Sequence, residues 1–364
     1  MSESKFYHIS PAGKLKGVGS VTEALTTVND GGFFWLDYYQ PTREELSTLI
    51  DPLGLHPLSI EDCFDDNQIP KMEDYHKNTF ILFNAFSYAN GKLSIDEVDL
   101  FIGENFLVTV TGHQGSSLRF YEKVEEVVAL DPASVQRGPD YLLHITLDYV
   151  VDHKFAAIEA VQDAIDTAEE EILRGPSAFS PETLMRLRRD LLTLRKSLFH
   201  EREILVKVCR RDSPYVSEKA VYRFRDIYDH LAKYYEIVEI YREMITSLME
   251  MYLSMINNRM AEVANRTNVT VRRLTLITTV FMPLTLLAGI GGMSEWTMMT
   301  GQPNWRIAYL AFLLGMAAIG AFNYWLLKWA EARQAAKLIP SPGASVHGAS
   351  EGSPPDPDGA GSRR

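Results

Sequence analysis

The stretch from Leu274 to Met293 reads LTLITTVFMPLTLLAGIGGM and contains no charged residue. A second charge-free stretch, from Ile307 to Leu327, follows after a short connection. Each has about 20 residues, enough for an α-helix to cross a hydrocarbon layer of roughly 30 Å. The pattern predicts transmembrane helices over 273–293 and 307–327, joined by an extracytoplasmic loop over 294–306. The alternative is a pair of apolar helices buried in a soluble core.

Positive charges flank the two predicted spans on their outer sides. They are Arg266, Arg272 and Arg273 before the first span and Lys328, Arg333 and Lys337 after the second. Because cytosolic flanks are enriched in Lys and Arg, we expect a multi-pass protein of the cell membrane with both chain ends in the cytosol. Residues 328–339 then form a basic cytosolic end. Residues 340–364, rich in Ser, Pro, Gly and Asp, are expected to be disordered.

The first region of the chain, over 1–139, has the mixed pattern of strands and short helices. Strand-like runs occupy 33–36 and 80–83. Two further runs, at 100–102 and 106–108, flank a short turn beginning at Gly103, which predicts a β-hairpin. Thr42 and Glu45 have the spacing of a capping box ahead of a helix. We therefore expect an α+β cytosolic domain, a mixed sheet with helices.

From Asp140 onward, Gly and Pro become scarce and apolar residues recur at helical spacing. Helices are predicted over 140–174 and 181–211, with a break at Gly175. A third helix is predicted from near Ser217 to about Gly289, since no Gly or Pro interrupts the chain before Pro283. At 1.5 Å per residue it is on the order of 100 Å long. This length favours a helical stalk over 140–272 that continues into the first span.

Composition and motifs exclude several classes of protein. The net charge of −12 argues against nucleic-acid binding, which needs a basic surface. Cys63 and Cys209 lie far apart, so a disulfide framework or a zinc cluster is not expected. The start of the chain lacks the apolar segment of a signal peptide. Phosphate-loop, hydrolase and metalloprotease motifs are lacking from the sequence, so we expect neither an enzyme nor ATP-driven transport.

One face of the predicted first span is small and partly polar. We call it the seam, and its positions alternate in steps of three and four: Asn268, Val271, Thr275, Thr278, Met282, Thr285, Gly289 and Gly292. The same register extends backward to Glu250. Small residues and hydroxyls are common where membrane helices pack together, so tight packing is one interpretation. A water-lined ion path is the other, and it needs an oligomer, since two spans cannot enclose a channel.

The side chains of the seam suit a hydrated ion. Mg²⁺ dehydrates reluctantly and usually keeps several waters. Hydroxyls and amides such as those of Thr278, Thr285 and Asn268 can contact that hydration shell, whereas fixed acids would hold the ion too tightly. An inside-negative potential supplies roughly 4–5 kcal/mol per 100 mV for a divalent ion. The residues expected to line the path are Asn268, Thr275, Thr278, Met282, Thr285, Gly289 and Gly292.

Several motifs, taken together, resemble one family. MPLTLLAGI at 282–290 leads into Gly-Gly-Met-Ser at 291–294, which resembles the end of the first transmembrane helix in CorA-type magnesium transporters. Upstream, HPLSIED at 56–62, QIPK at 68–71, FRDIYDH at 224–230 and YLS at 252–254 are similar to the family's cytosolic domain and stalk. The similarity runs in order from about Trp35 to Leu327.

The resemblance implies a funnel-shaped homopentamer held closed by Mg²⁺ bound between subunits. Carried over residue by residue, Asp62 and Glu250 would form one inter-subunit sensing site, and Asp226 would contribute to a second. Facing carboxylates repel each other unless a cation lies between them. Glu250 stands where the family has Asp, which keeps the charge and lengthens the reach. The stretch 258–274 is about seven residues longer than in the family, which moves Glu250 ~10 Å further from the pore and keeps the seam in register.

The expected pore mouth departs from the family at one position. It comprises Gly292, Met293, Ser294 and Glu295, and Ser294 replaces the Asn of the Gly-Met-Asn signature. A hydroxyl is shorter than an amide, so the preference for Mg²⁺ over other ions is open at this point. In an oligomer, Glu295 would form a ring of carboxylates, which concentrates cations at a pore mouth.

The first hypothesis for function is therefore gated influx of Mg²⁺, with Co²⁺ and Ni²⁺ able to use the same pore. A zinc transporter is the alternative within transport, and a non-conducting, membrane-anchored metal sensor is the alternative outside it. The expected partners are other copies of the chain, the lipid bilayer and divalent metal ions. One further pattern, His144, Asp148 and Asp152 at four-residue spacing, could bind metal, but we interpret it as a structural polar face.

Overall fold

The computed structural model describes residues 4–27, 31–65, 68–112, 120–130, 136–291 and 305–338. The chain forms two compact units that divide between Asn257 and Asn258. A seven-stranded sheet forms the centre of the first unit. Its strands are β1 Lys5–Ile9, β2 Leu15–Val18, β3 Phe33–Tyr39, β4 Lys71–Asp74, β5 Thr79–Ala89, β6 Lys92–Ile102 and β7 Phe106–Thr111.

The sheet is mixed, as the sequence predicted. The strand order is β2-β1-β3-β7-β6-β5-β4, in which β3 and β7 run parallel and all other neighbours run antiparallel. The predicted hairpin at Gly103 is confirmed as β6 and β7. A second hairpin joins β5 to β6 through Asn90 and Gly91, both with positive φ. Asn-Gly is the preferred sequence for such a two-residue turn.

Four short helices and an aromatic core cover one face of the sheet. The helices are α1 Val21–Thr27, α2 Arg43–Ser47, α3 Ile50–Leu53 and α4 Pro57–Asp62. The predicted capping box is confirmed, since Thr42 Oγ accepts the N–H of Glu45 and the Glu45 carboxylate accepts the N–H of Thr42. Phe34, Phe80 and Phe101 are buried between these helices and the sheet.

The core on the other face is shared with further helices. They are α5 Phe120–Leu130, α6 Pro139–Arg174, α7 Pro181–Arg210 and α8 Val221–Gly291. The predictions of helices at 140–174 and 181–211 are confirmed to within a residue at each end. The prediction that the third helix begins near Ser217 is wrong by four residues, because Ser217 lies in a turn where its N–H is held by the Asp140 carboxylate at 3.0 Å.

A buried ion pair ties this layer together. Lys154 of α6 donates to Glu201 of α7 at 2.8 Å, and both side chains are 0% exposed. The backbone N–H of Asn84 on β5 donates to the same carboxylate at 3.0 Å, and Lys154 also donates to the Asn84 carbonyl. One helix pair is thereby fixed to one strand of the sheet.

The second unit consists of the C-terminal part of α8 and of α9, Trp305–Leu338. Of the two predicted spans, 307–327 lies within α9, and 273–291 of the first lies within α8, whereas residues 292 and 293 lie outside the described residues. The helix α9 continues past Leu327, so most of the predicted basic end is helical, and its charged residues follow the apolar stretch on the same helix. The loop predicted at 294–306 up to Asn304, and the predicted disordered tail at 340–364, lie outside the described residues.

Candidate ion path and metal cluster

The first span packs on the second through one face only. Leu276, Val280, Leu284 and Leu287 form a half-buried stripe along α8 at helical spacing. Leu284 lies against Gly320 of α9, where an added Cβ would be 3.5 Å from the leucine methyl group. This stripe therefore faces the second span.

The seam lies on the side of α8 that α9 leaves free. Thr275, Thr278, Met282, Thr285 and Gly289 are all exposed in the described chain. At 100° per residue, the direction of Leu284 is roughly 140° around the helix from the middle of this group. A groove of about 570 Å³ runs along it, lined in part by Met282, Thr285 and Gly289. Asn268 is exposed as well.

The threonine hydroxyls on the seam have their protons already engaged. Thr275 donates to the Val271 carbonyl at 2.9 Å, and Thr278 donates to the Leu274 carbonyl at 2.9 Å. Thr285 donates in the same way, at 2.8 Å, to a carbonyl four residues earlier. A hydroxyl has one proton and two lone pairs. Each oxygen can therefore still accept a hydrogen bond from a water of a hydrated cation.

Neither apolar helix has the burial expected of a soluble core helix. The most apolar windows of α8 and α9 have mean hydropathies of 1.6 and 1.8, and 0% of either window is buried in the described part of the protein. Leu274, Phe281 and Leu313 are each about 60% exposed or more. In water such surfaces would be unfavourable, so the alternative of two buried core helices is not what the structure has.

The structure describes the residues of the first predicted sensing site but not those of the predicted pore mouth. Gly292, Met293, Ser294 and Glu295 lie outside the described residues. Asp62, at the end of α4, accepts from Lys71 Nζ at 2.6 Å and keeps 18% of its side chain exposed. Glu250 is exposed on α8. Their pairing requires two subunits and stays a prediction.

A potential metal-binding cluster, here called the acid–imidazole cluster, lies between α6 and α8. It consists of Asp148, Asp152 and His230, whose ligand atoms lie within 4.8 Å of one another. The four-residue spacing places both carboxylates on one face of α6. Burial, together with the charge of Asp152, raises the pKa of Asp148. His230 presents a buried Nδ1 for which the described residues provide no hydrogen-bond partner.

Asp226 and His144 flank the cluster without belonging to it. Asp226 lies one turn before His230 on α8, is exposed, and adds to the negative potential at Asp148. Burial, with the positive charge of Arg223, lowers the pKa of His144 to about 4. It is therefore a neutral ring, packed edge-on against Phe224 at 5.9 Å.

The structure adds a residue from a second helix to the pattern seen in the sequence of this region. We expected the four-residue pattern of His144, Asp148 and Asp152 to be a structural polar face. The structure groups its two carboxylates with His230 as a potential ligand set and places the half-buried His144 against Phe224, and the interpretation as a polar face stays a prediction. The signal that could have found the cluster is a pair of four-residue spacings, Asp148 to Asp152 on one helix and Asp226 to His230 on another.

The donor set of the cluster fits a divalent cation. Carboxylate oxygens are the ligands that Mg²⁺ prefers, and it would complete its octahedral shell with water. Imidazole nitrogen suits Zn²⁺, Co²⁺ and Ni²⁺ better. The ligands shown are therefore compatible with either kind of ion, and the imidazole favours a transition metal.

Comparison with known proteins finds a matching family and similar relatives. A profile of the family described as CorA-like Mg2+ transporter protein matches residues 30–329. The putative metal ion transporter YfjQ of Bacillus subtilis is 33% identical over 290 residues, which cover 80% of this chain and 86% of that relative. The cobalt/magnesium transport protein CorA of Thermotoga maritima is 32% identical over 269 residues, which cover 73% of this chain and 74% of that protein.

The fold has a counterpart among solved structures. The complete structure of the CorA magnesium transporter from Methanocaldococcus jannaschii superposes with a TM-score of 0.65 and 20% sequence identity. The superposition covers 89% of this chain and 96% of that one. At this identity the likeness concerns the fold, including the mixed sheet, the long helix and the second apolar helix.

Proposed function

The chain belongs to the CorA-like Mg²⁺ transporter family, and we propose that it forms a passive, gated channel through which Mg²⁺ enters the cell. Co²⁺ and Ni²⁺, which are also hydrated divalent ions, would use the same path. The observation that carries the proposal is the uncovered seam of α8. It is a small, partly polar stripe within the part of the helix that α9 leaves exposed.

A polar seam facing lipid would be unfavourable, because hydrocarbon offers hydroxyl and amide groups no partners. Copies of α8 arranged around an axis would turn their seams toward each other and enclose a path for water and ions. We propose a homopentamer, in which Asn268, Thr278 and Thr285 line this path. The hydroxyl oxygens, whose protons are engaged by the helix backbone, would accept hydrogen bonds from the waters around the ion.

The membrane potential is sufficient to drive influx. An inside-negative potential contributes roughly 4–5 kcal/mol per 100 mV to the movement of a divalent ion. The energy of ATP is therefore not needed. In this proposal both chain ends and the sheet lie in the cytosol, and Gly292, Met293, Ser294 and Glu295 form the extracytoplasmic mouth.

The cytosolic side would sense the transported ion. We propose that bound metal holds the channel closed at three places: the acid–imidazole cluster, an inter-subunit site of Asp62 and Glu250, and a second inter-subunit site to which Asp226 contributes. The carboxylates would repel one another when the ion leaves. Loss of cytosolic metal would then loosen the contacts between subunits and open the path.

Two observations favour a second candidate, zinc transport. The acid–imidazole cluster contains His230, and imidazole is a better ligand for Zn²⁺ than for Mg²⁺. Ser294 also replaces the amide of the family signature. The third possibility, a metal sensor that does not conduct, would leave the seam only a role in helix packing.

Uptake into liposomes containing the purified full-length protein tests these functions. Mg²⁺ and Zn²⁺ uptake are compared under an inside-negative potential. The proposal predicts Mg²⁺ uptake that falls several-fold in Thr278→Val and Thr285→Val, because each change removes a hydroxyl from the seam without changing the size of the side chain. Thr279→Val is the matched control, since Thr279 makes the same backbone hydrogen bond off the seam.

The outcomes separate the candidates. Mg²⁺ flux that is equal in all three variants would refute the seam as the ion path. Zinc uptake without magnesium uptake would select the zinc transporter. If the protein is folded and oriented in the liposomes but transports neither ion, the non-conducting metal sensor is the function that remains.

A further inference from the structure

A cavity of about 760 Å³ lies where α6 and α8 begin. Arg137 precedes α6, Lys219 precedes α8, and Arg223 is in the first turn of α8; all three line the cavity. One acid, Asp140, also lines it, but its carboxylate accepts the N–H of Ser217 at 3.0 Å and is almost fully buried. The charged groups that a ligand would meet there are therefore the three cations.

These three cations lack acidic partners within the described part of the chain. None of Arg137, Lys219 and Arg223 has a carboxylate oxygen within 4 Å there, although other arginines of the protein pair with acids, as Arg242 does with Glu239 at 2.5 Å. Arg223 also has a buried Nε without a hydrogen-bond partner among the described residues. The chain carries a net charge of −12. A cavity with three cations that lack acidic partners among the described residues therefore differs from the acidic character of the chain as a whole.

Aromatic rings hold the two guanidinium groups in place. The guanidinium carbon of Arg223 lies 4.4 Å from the centre of the Tyr141 ring and 5.1 Å from that of Tyr222. The Arg137 guanidinium lies 5.5 Å from the same Tyr141 ring. Stacking occupies the flat faces of a guanidinium and leaves its N–H donors available at the edge. Such edges bind a phosphate group through paired hydrogen bonds.

We propose that this cavity binds a phosphate-bearing anion. The recognised group is the phosphate itself, held by Arg137 and Arg223 with Lys219 as a third positive charge. The cavity has the volume of an ordinary small-molecule site, so it can hold inorganic phosphate or the phosphate end of a nucleotide. This inference does not depend on the proposed transport activity.

Calorimetric titration of the full-length protein in detergent tests the proposal. The probes are inorganic phosphate, AMP and ATP, each in metal-free buffer at constant ionic strength, with chloride as the reference anion. We expect saturable binding that weakens as salt is added, since the contacts are charged. Tighter binding of a nucleotide than of phosphate would assign the site to nucleotides, and equal binding would assign it to free phosphate.

Matched variants connect the binding to the cavity. Arg223→Gln and Arg137→Gln should each weaken binding by about tenfold or more, because each removes a charge-assisted hydrogen bond. Arg223→Lys keeps the charge but not the paired donors and should fall between Arg223→Gln and the unchanged protein. Arg188→Gln, an exposed arginine on α7, is the control and should bind as the unchanged protein does. Circular dichroism of each variant checks that it is folded.

Two results would overturn the inference. One is the lack of saturable binding of all three probes up to about 10 mM, which corresponds to an interaction too weak to be specific. The other is binding that Arg223→Gln and Arg137→Gln leave unchanged, or that Arg188→Gln weakens equally. If Arg223→Gln does not fold, Arg137→Gln and Arg223→Lys still decide the question.

Discussion

Replacing Lys154 by methionine removes one partner of the buried ion pair and leaves the other in the core. Lys154 Nζ lies 2.8 Å from Glu201 Oε1 and 4.1 Å from the centre of the Phe86 ring, and neither charged side chain reaches solvent. Burial lowers the pKa of Lys154 and raises the pKa of Glu201. Methionine fills a similar volume, so the main change is the loss of the positive charge.

The loss of stability in Lys154→Met depends on the hydrogen bonds that Glu201 retains. It retains the Asn84 N–H at 3.0 Å and the Ser197 hydroxyl at 3.3 Å, but no counter-charge in the described core. Removing one partner of a buried pair costs about 3–5 kcal/mol. For a unit of this size, each kcal/mol lowers the midpoint of thermal unfolding by about 2–4 °C. We therefore expect a decrease of roughly 6–20 °C in Lys154→Met.

The double variant Lys154→Met/Glu201→Gln should recover most of this loss. The glutamine amide is neutral, and its oxygen can still accept the Asn84 N–H. Replacing both members of a buried pair is often neutral. The single variant should also depend on pH. Burial without a counter-charge holds the pKa of Glu201 above its unfolded value, so the destabilisation is full at neutral pH and shrinks as pH falls through that raised pKa.

Thermal unfolding of the full-length protein in detergent, followed by far-ultraviolet circular dichroism at fixed scan rate, measures these differences. The unchanged protein, both single variants and the double variant complete a cycle. A midpoint for Lys154→Met within about 2 °C of the unchanged protein would contradict the reasoning, because it would mean that the pair is not desolvated. A double variant as unstable as Lys154→Met would contradict it as well.

Two further predictions test the metal cluster and a turn of the sheet. Asp148→Asn should weaken Co²⁺ or Ni²⁺ binding to the full-length protein at least about tenfold. Binding to the unchanged protein should weaken as pH falls, because burial raises the pKa of Asp148 and a proton then competes with the metal. Titration calorimetry at several pH values measures both, and pH-independent binding would exclude Asp148 as a ligand. Gly32→Ala should lower the unfolding midpoint by several °C, because Gly32 has a φ of +90° and an added Cβ would overlap the Ile9 carbonyl oxygen. Gly17→Ala is the control, since nothing obstructs a Cβ at Gly17. Equal midpoints of the two variants would contradict this.

Local patterns predicted much of the architecture because they arise between residues close in sequence. The hairpin at Gly103 and the capping box of Thr42 each depend on neighbours within a few positions. The ends of α6 and α7 follow from Pro139 and Pro181, which begin helices favourably. Asn90-Gly91 is an equally local signal for the hairpin of β5 and β6.

The candidate site was predicted in part for the same reason. The seam is a property of one helix, so periodicity alone located Thr278 and Thr285 on a common face. That α9 covers the opposite side was not visible in the sequence, because it depends on which residues of two helices meet. His230 and Asp148 are likewise far apart in the chain, and only the packing of α8 on α6 brings their ligand atoms together.

The sequence by itself determined the two apolar spans, the long helices, the hairpin at Gly103 and the family to which the chain belongs. Each of these depends on the spacing of residues close in sequence or on motifs that follow one another in the same order as in the family. The tertiary structure alone decided the parallel pairing of β3 with β7, the burial of Lys154 beside Glu201, the acid–imidazole cluster and the cationic cavity at Arg223. These depend on contacts between distant segments, which form only when apolar burial on both faces of the sheet fixes the helices against it.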